Sequence, residues 1–411
     1  MAYKIYPPSS LYNSVTLPGS KSISNRALIL NALSLSNYEI QNLSVCEDTS
    51  VIKDAFASNT NEFDVRGAGT AMRFLTAFLA GVEGEWILKG SQRMHERPIH
   101  PLVDTLVTIG ADIEYLGNKG YPPLKIKGRK LEGGEVYLTA NVSSQFISAL
   151  MMIAPTMKYG LTMHLEHEVI SRPYIHLTQK MMEDYGVHVK WERKTIKVSA
   201  QPYTAIPYNV ESDWSAASYW YSFVALMPEA EVKLKGLKKE SLQGDANIIN
   251  LFADLGVSTS FVEDGVVLKK KNFVKGKFFH NFINEPDLAQ TFAVTCCLLN
   301  VPFFFSGLQT LKIKETDRIV ALITELEKLG YVLRETENGI LEWDGERCLA
   351  DEAIVIDTYE DHRMAMAFAP ASIVFKDMYI NHPEVVVKSY PSFWDDLQQG
   401  GFKLDEIDNF E

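Results

Sequence analysis

A helix that ends on a glycine and runs straight into a pair of strands occurs four times along this chain. The copies are LVDTLVTIGADIEYL, LTQKMMEDYGVHVKW, IINLFADLGVSTSFV and ITELEKLGYVLRE. Gly110, Gly186, Gly256 and Gly330 stand where a helix C-terminus needs a left-handed residue. They lie 76, 70 and 74 residues apart. In each copy a short turn and a second strand follow, as in EYLGNKGYPPLKIKG and SFVEDGVVLKKK, which predicts β-hairpins. Solenoid repeats recur every 20 to roughly 50 residues, so a period this long describes small α/β subdomains instead.

At 411 residues the chain exceeds the size at which one core keeps growing, so two domains are expected. Five segments read as helices that are apolar on nearly every side: TAMRFLTAFLAG, SSQFISALMMIAP, SAASYWYSFVALM, DLAQTFAVTCCLLN and HRMAMAFAPASIVF. Such helices belong inside a core. The predicted fold class is therefore α/β, with repeated units clustered around buried helices in two domains. No Pro/Gly/Ser-rich linker marks the border between them.

A net charge of -12 argues against nucleic-acid binding, which needs a basic face, so an anionic ligand would have to meet a local basic pocket. No apolar run is long enough to span a bilayer, and MAYKIYPPSS has neither a signal nor a transit pattern, so the expected location is the cytoplasm. The four cysteines, Cys46, Cys296, Cys297 and Cys348, form no C-x-x-C pair and are expected as buried free thiols. None of the 9 histidines falls in a ligand-spaced cluster, so no metal is expected.

The basic residues sit at the wrong ends of helices. A cation in the first turn opposes the helix dipole by about 0.3 to 1 kcal/mol, whereas a bound anion favours that place. LPGSKSISNRAL brings Lys21, Ser22 and Arg26 to a helix start, and RGAGTAMRFL brings Gly67, Gly69, Thr70 and Arg73 to another. Arg97 precedes Pro98, a residue suited to a first helical position. Lys314 and Glu315 precede Thr316, an expected cap, and Arg318 follows in the first turn. His362 and Arg363 head an apolar helix, and Lys388 comes just before a helix expected to start at a proline. One such site would be an ordinary surface charge. Six in one chain, mostly on buried helices, point to anion binding.

Asp287, after Pro286 at a helix start, and Glu315, beside cations, are candidate acid/base groups, although cap and ion-pair roles fit them equally well. VSSQF supplies the uncharged donors Ser143, Ser144 and Gln145 without the partners a nucleophilic serine needs. GSKS lacks the G-x-x-x-x-G-K-[ST] spacing of a P-loop, which removes the best support for a kinase or ATPase.

LPGSKSISNRAL, GAGTAMR, RMHERPI, VSSQF, SRPYI, KETDR, DHRMAMA and KSYPSFW, in this order from Leu17 to Trp394, resemble the motifs of the EPSP synthase family of enolpyruvyl transferases. The resemblance implies an inside-out α/β barrel fold, with two domains of about three units each around parallel helices. It places residues 21–211 in one domain, residues 1–20 with 212–411 in the other, and the active site in the cleft. It also implies transfer of the enolpyruvyl group of phosphoenolpyruvate to the 5-hydroxyl of shikimate 3-phosphate by a monomer without cofactor. Shikimate 3-phosphate would be held by Lys21, Ser22, Arg26, Ser143, Ser144, Gln145, Ser171, Tyr174, Asp287, Thr310 and Lys314. Phosphoenolpyruvate would be held by Lys21, Gly69, Arg97, Gln145, Arg318, Arg363 and Lys388, with Arg73 and His362 in support. Asp287, Glu315 and Lys21 would be catalytic.

The chain departs from the family's pattern at Gly67 and Thr310, each in place of asparagine, and at Phe74, in place of proline. Phe74 follows Arg73, so the resemblance predicts altered sensitivity to the family's inhibitor glyphosate. The short interval from Asp48 to Gly67 predicts that the first unit lacks a hairpin strand or helix. Lys21 followed by Ser22, where the sister transferases acting on UDP-amino sugars have Lys-Asn, weighs against that acceptor. Retention of both Asp287 and Glu315 weighs against a protein that only binds shikimate 3-phosphate.

Overall fold

The structure, a computed structural model, describes residues 1–139, 143–167, 169–273 and 276–407. Val142, the first residue of VSSQF, lies outside them. The chain divides into two compact units, Gly19–Val210 (the N-terminal unit) and Met1–Pro18 with Glu211–Glu411 (the C-terminal unit). Each unit has its own apolar core. Leu30, Phe74, Leu102, Met151 and Met181 belong to one, and Trp214, Trp220, Phe223, Phe292 and Phe305 to the other. Full burial of side chains of this size contributes about 1.5–3 kcal/mol each.

The described residues of the N-terminal unit form α1 (Lys21–Leu33), α2 (Glu47–Ala57), α3 (Gly69–Ala80), α4 (His100–Thr108), α5 (Ser144–Ile153) and α6 (Arg172–Asp184). Those of the C-terminal unit form α7 (Trp214–Leu226), α8 (Ile248–Ala253), α9 (Ala289–Leu298), α10 (Arg318–Lys328), α11 (His362–Phe368) and α12 (Phe393–Gln399). The apolar segments are core helices, as their composition requires. Every residue of α9 and α11 is buried. Their few polar groups pair with one another: Ser218 meets Thr291 at 3.1 Å, and Ser222 meets Thr295 at 2.7 Å, between α7 and α9.

Among the described residues, five four-stranded sheets share one topology. In the sheet of Gly134–Thr139, Leu161–Glu166, Val189–Glu192 and Thr195–Val198, the first two strands are parallel and the last two form an antiparallel hairpin, giving the order 1-2-4-3. Parallel neighbours need a crossover, and α5 provides it. The arrangement recurs at Glu62–Asp64, Gly84–Lys89, Asp112–Tyr115 and Leu124–Gly128 in the same unit. In the C-terminal unit it recurs at Leu11–Thr16, Ala230–Lys235, Val257–Val262 and Gly265–Lys270, and at Phe278–Asn281, Phe303–Ser306, Arg334–Glu337 and Ile340–Trp343. Gly110, Gly186, Gly256 and Gly330 precede the four hairpins with φ of 103, 82, 84 and 84°, the left-handed values that favour glycine.

The fifth sheet contains a copy that the sequence pattern did not reveal. α12 ends before Gly401, at φ 92°, and Lys403–Ile407 follows, but its hairpin partner is Ala2–Tyr6 from the other end of the chain. Ile354–Ile356 and Met378–Asn381 complete that sheet. Among the described residues the remaining repeat has only a parallel pair, Ile40–Gln41 with Tyr208–Asn209. α2 leads directly to Glu62–Asp64 of the next sheet, so the short Asp48–Gly67 interval corresponds to a missing hairpin.

Several local expectations need correction. Asp317, not Thr316, caps α10, because its carboxylate accepts from the backbone N–H of Ile319 and Val320. Arg97 closes a 3-10 turn, Arg93–Glu96, and α4 starts at His100 with Pro101 second, so Pro98 is outside the helix. Lys388 ends the 3-10 turn Pro383–Lys388, while α12 starts at Phe393, beyond Pro391. Cys46, Cys296 and Cys297 are buried and free, but Cys348 is exposed, in the loop after a hairpin, its Sγ 3.5 Å from the Glu327 carbonyl of α10. No helix among the described residues is long and apolar enough to cross a membrane.

Candidate active site

In the N-terminal unit the cations gather at the first turns of packed helices. α1 begins with Lys21, whose ammonium lies 3.1 Å from the Asp48 carboxylate in the first turn of α2. Five residues on, Arg26 is buried. Its Nε donates to Thr178 Oγ1 at 2.7 Å, Nη1 to the Ser22 carbonyl at 2.8 Å, and Nη2 to Ser148 Oγ at 3.2 Å and the Tyr174 carbonyl at 3.4 Å. Among the described residues it has no carboxylate partner, and burial lowers its pKa to about 10. A buried cation held only by neutral acceptors keeps its charge for an incoming anion.

α3 opens on Gly69, and the Arg73 guanidinium folds back to donate to the Gly69 carbonyl at 2.8 Å. Arg97 reaches the same turn and donates to the Gly67 carbonyl at 3.4 Å. A Cβ on Gly69 would stand 2.6 Å from both Arg73 Nη1 and Arg97 Nη2, so glycine is what admits two guanidiniums over this turn. Gln145 Nε2 donates to Thr70 Oγ1 at 3.0 Å and ties the start of α5 to α3. Ser143 caps α5 by accepting from Gln145 N, and Ser144 is buried in its first turn. Ser171 stands at the N-cap position of α6 in a left-handed conformation, φ 54°, of the kind that collects at functional sites. Tyr174 lies one turn on, its ring centroid 6.0 Å from the Arg26 guanidinium carbon.

In the C-terminal unit cations and carboxylates are interleaved. Arg318, the first residue of α10, reaches Asp361 through Nε at 2.7 Å, Glu315 through Nη2 at 2.9 Å and Asp287 through Nη1 at 3.3 Å. Burial alone would lower its pKa, but the charges of Asp361, Glu315 and Asp287 hold it above the usual arginine value. Arg363, second in α11, pairs with Asp287 Oδ2 at 2.9 Å and donates to the Asp287 carbonyl at 3.1 Å. Asp361 caps α11 by accepting from Arg363 N. Lys388 Nζ donates to the Glu360 carbonyl at 2.7 Å, just ahead of that cap. His362 is buried beside Asp361, and Thr310 and Lys314 lie in and just after the 3-10 turn Gln309–Ile313.

The structure thus joins Asp287, Glu315, Arg318 and Arg363 in one ion-paired cluster. It joins Gly69, Arg73 and Arg97 in another, and Ser22, Arg26 and Tyr174 in a third. Ser171 belongs with the third, its carbonyl accepting from Tyr174 N at 3.1 Å. Sequence reading missed Asp361, although it stands next to His362. It also missed Asp245, which accepts from the Ser215 hydroxyl and whose pKa is pushed up to about 7 by burial and then by the charge of Asp287. Among the described residues no group of three or more His, Cys, Asp or Glu could hold a metal ion.

The family model for EPSP synthase (3-phosphoshikimate 1-carboxyvinyltransferase) matches residues 5–59 and 52–397. A 3-phosphoshikimate 1-carboxyvinyltransferase of Bacteroides fragilis is 52% identical over 405 residues, covering 98% of this chain and 99% of the relative. One from Aliivibrio salmonicida is 36% identical, covering 96% of this chain and 98% of the relative. A solved structure of EPSP synthase from Acinetobacter baumannii shares the fold at a TM-score of 0.77 and 20% identity, covering 98% of this chain and all of that one. With a family model that matches from residue 5 to residue 397 and a relative 52% identical over 98% of its length, the chain belongs to the EPSP synthase family.

Proposed function

We propose that these clusters carry out the reaction of the family, transfer of the enolpyruvyl group of phosphoenolpyruvate to the 5-hydroxyl of shikimate 3-phosphate with release of phosphate. The chain is an enzyme of the shikimate pathway, on the route to chorismate and the aromatic amino acids. The observation that carries the assignment of roles is the ion-paired cluster of the C-terminal unit. There the two candidate acid/base carboxylates, Asp287 and Glu315, are each paired with a guanidinium of the kind that binds phosphate and carboxylate in a fork.

In this reading Lys21, Gly69, Arg97, Gln145, Arg318, Arg363 and Lys388 hold phosphoenolpyruvate. Lys21, Ser22, Arg26, Ser143, Ser144, Gln145, Ser171, Tyr174, Asp287, Thr310 and Lys314 hold shikimate 3-phosphate. Arg73 and His362 support them. Asp287 takes the proton of the 5-hydroxyl as its oxygen bonds to C2 of phosphoenolpyruvate, and Glu315 gives a proton to the methylene carbon. The tetrahedral adduct then loses a proton from its methyl group and phosphate from C2, restoring the double bond. Lys21 and the arginines balance the anionic charge, so alignment and charge neutralisation supply the catalysis without a cofactor. We read the enzyme as a cytoplasmic monomer.

Phosphate release by the purified protein, with each substrate omitted in turn and no metal added, tests the reading. Release that requires both substrates supports it. Release with phosphoenolpyruvate and a UDP-amino sugar instead would replace the acceptor.

A further inference from the structure

We infer that Thr178, together with the ring of Phe74, is a positioning residue for Arg26, holding its buried guanidinium in the orientation that receives the anionic acceptor. The inference rests on the reading of Arg26 as an acceptor ligand. The partners of this one side chain come from four helices. Arg26 stands on α1, Phe74 on α3, Ser148 on α5, and Tyr174 and Thr178 on α6. The first turns of these helices carry Lys21 and Ser22, Gly69, Ser144 and Gln145, and Tyr174, so the guanidinium is fixed to the elements that carry the proposed ligands.

A guanidinium is planar, and its donors form a rigid fork, so fixing Nε and one face fixes the rest. The 2.7 Å bond from Nε to Thr178 Oγ1 is the shortest of the four that Arg26 makes. The Thr178 hydroxyl has one proton to donate, to Ser148 Oγ at 2.8 Å or to the Tyr174 carbonyl at 2.9 Å, and either choice leaves a lone pair for the Arg26 Nε–H. A hydroxyl suits this place because it accepts from the cation without cancelling its charge. A carboxylate would neutralise Arg26, and valine, of nearly the same shape, would offer no acceptor. Phe74 follows Arg73 in sequence, yet its ring faces Arg26, with the guanidinium carbon 5.3 Å from the centroid. That distance is within range for attraction between a cation and the negative face of an aromatic ring. Arg73 lies instead over Phe146, also at 5.3 Å.

The test is calorimetric binding of shikimate 3-phosphate to the full-length protein, with steady-state kinetics and melting temperature in parallel. Arg26→Met comes first, and unchanged acceptor binding there would remove the underlying reading of Arg26. If Arg26→Met loses acceptor binding, Thr178→Val should raise both Kd and KM for shikimate 3-phosphate about tenfold, leaving kcat and KM for phosphoenolpyruvate within about threefold. Thr178→Ser, which restores the acceptor, should return to wild-type affinity. Phe74→Leu should weaken acceptor binding about threefold and decides the matter if Thr178→Val does not fold. Phe74→Pro removes the ring and a backbone donor of α3 together, so it would not isolate the ring's effect. Wild-type acceptor affinity in Thr178→Val would overturn the inference. So would a Thr178→Ser variant as weak as Thr178→Val, or equal loss in kcat and both KM values accompanied by a lower melting temperature.

Discussion

Arg26 and Arg318 are both buried guanidiniums near the start of a helix, one in each unit, and they are held in opposite ways. Arg26 is surrounded by hydroxyls, carbonyls and aromatic faces, and burial lowers its pKa to about 10. Arg318 is surrounded by Asp287, Glu315 and Asp361, whose charges outweigh burial and raise its pKa. The first arrangement leaves a positive charge ready for a ligand. The second uses the cation to hold carboxylates in place. The lesson is that a buried arginine says little about function until its partners are known, because neutral and acidic cradles give the same residue different work.

The largest effect that would break the comparison concerns the carboxylates held by the second cradle. Asp287→Ala and Glu315→Gln should each lower turnover by about 10²–10⁴-fold, as expected for loss of a general acid or base, while the ternary complex still forms. Near-normal turnover in either variant would leave that carboxylate with an ion-pairing role alone.

Stability separates the two cradles next. Arg318→Met takes the cation from the buried Asp361 carboxylate and should cost about 3–5 kcal/mol in denaturant unfolding. Arg26→Met leaves only neutral acceptors behind and should cost about 1–2 kcal/mol. Equal losses would show that the neutral cradle matters as much to folding as the charged one.

Asp245 sharpens the same contrast through pH. Its pKa is raised from 3.8 to about 7 in the folded protein, so folding favours the protonated form. Its contribution to stability is therefore complete below the unfolded value and is lost as pH rises through about 7. Asp245→Asn should raise the melting temperature at pH 8 but hardly at pH 4, with a gain at high pH of roughly 2–4 kcal/mol at most. A pH-independent difference between the two proteins would show that folding leaves the Asp245 pKa unchanged.

A smaller effect is expected at Gly69. An added Cβ would meet Arg73 Nη1 and Arg97 Nη2 at the far ends of flexible side chains, so Gly69→Ala should fold normally. Displacement of both guanidiniums should raise KM for phosphoenolpyruvate about tenfold, an effect that steady-state kinetics would detect.

Four of the five hairpin copies were readable because everything that marks them is local: a helical period, a glycine at the helix end and two short strands. The fifth was invisible for the opposite reason. Lys403–Ile407 finds its partner in Ala2–Tyr6, and no window of sequence contains both. The cap of α10 was misplaced by one residue, since Thr316 and Asp317 are both good caps and only the hydrogen bonds to Ile319 and Val320 distinguish them.

The candidate site divides along the same line. Cations at helix starts stood out in the sequence because the helix dipole disfavours them, and that was enough to single out Lys21, Arg26, Arg73, Arg318 and Arg363 as candidate anion ligands. Glycine at position 69 and the carboxylates Asp287 and Glu315 were legible for similar reasons of local chemistry. The sequence could not say which partners each cation would have. Thr178 and Ser148 lie 152 and 122 residues from Arg26, and Asp361 lies 43 from Arg318. Backbone propensity acts over a few neighbours, so sequence alone determined the helices, their ends and the charges they carry. Burial and hydrogen bonding act through space, so only the tertiary structure decided which of those charges are neutralised and which remain for a ligand.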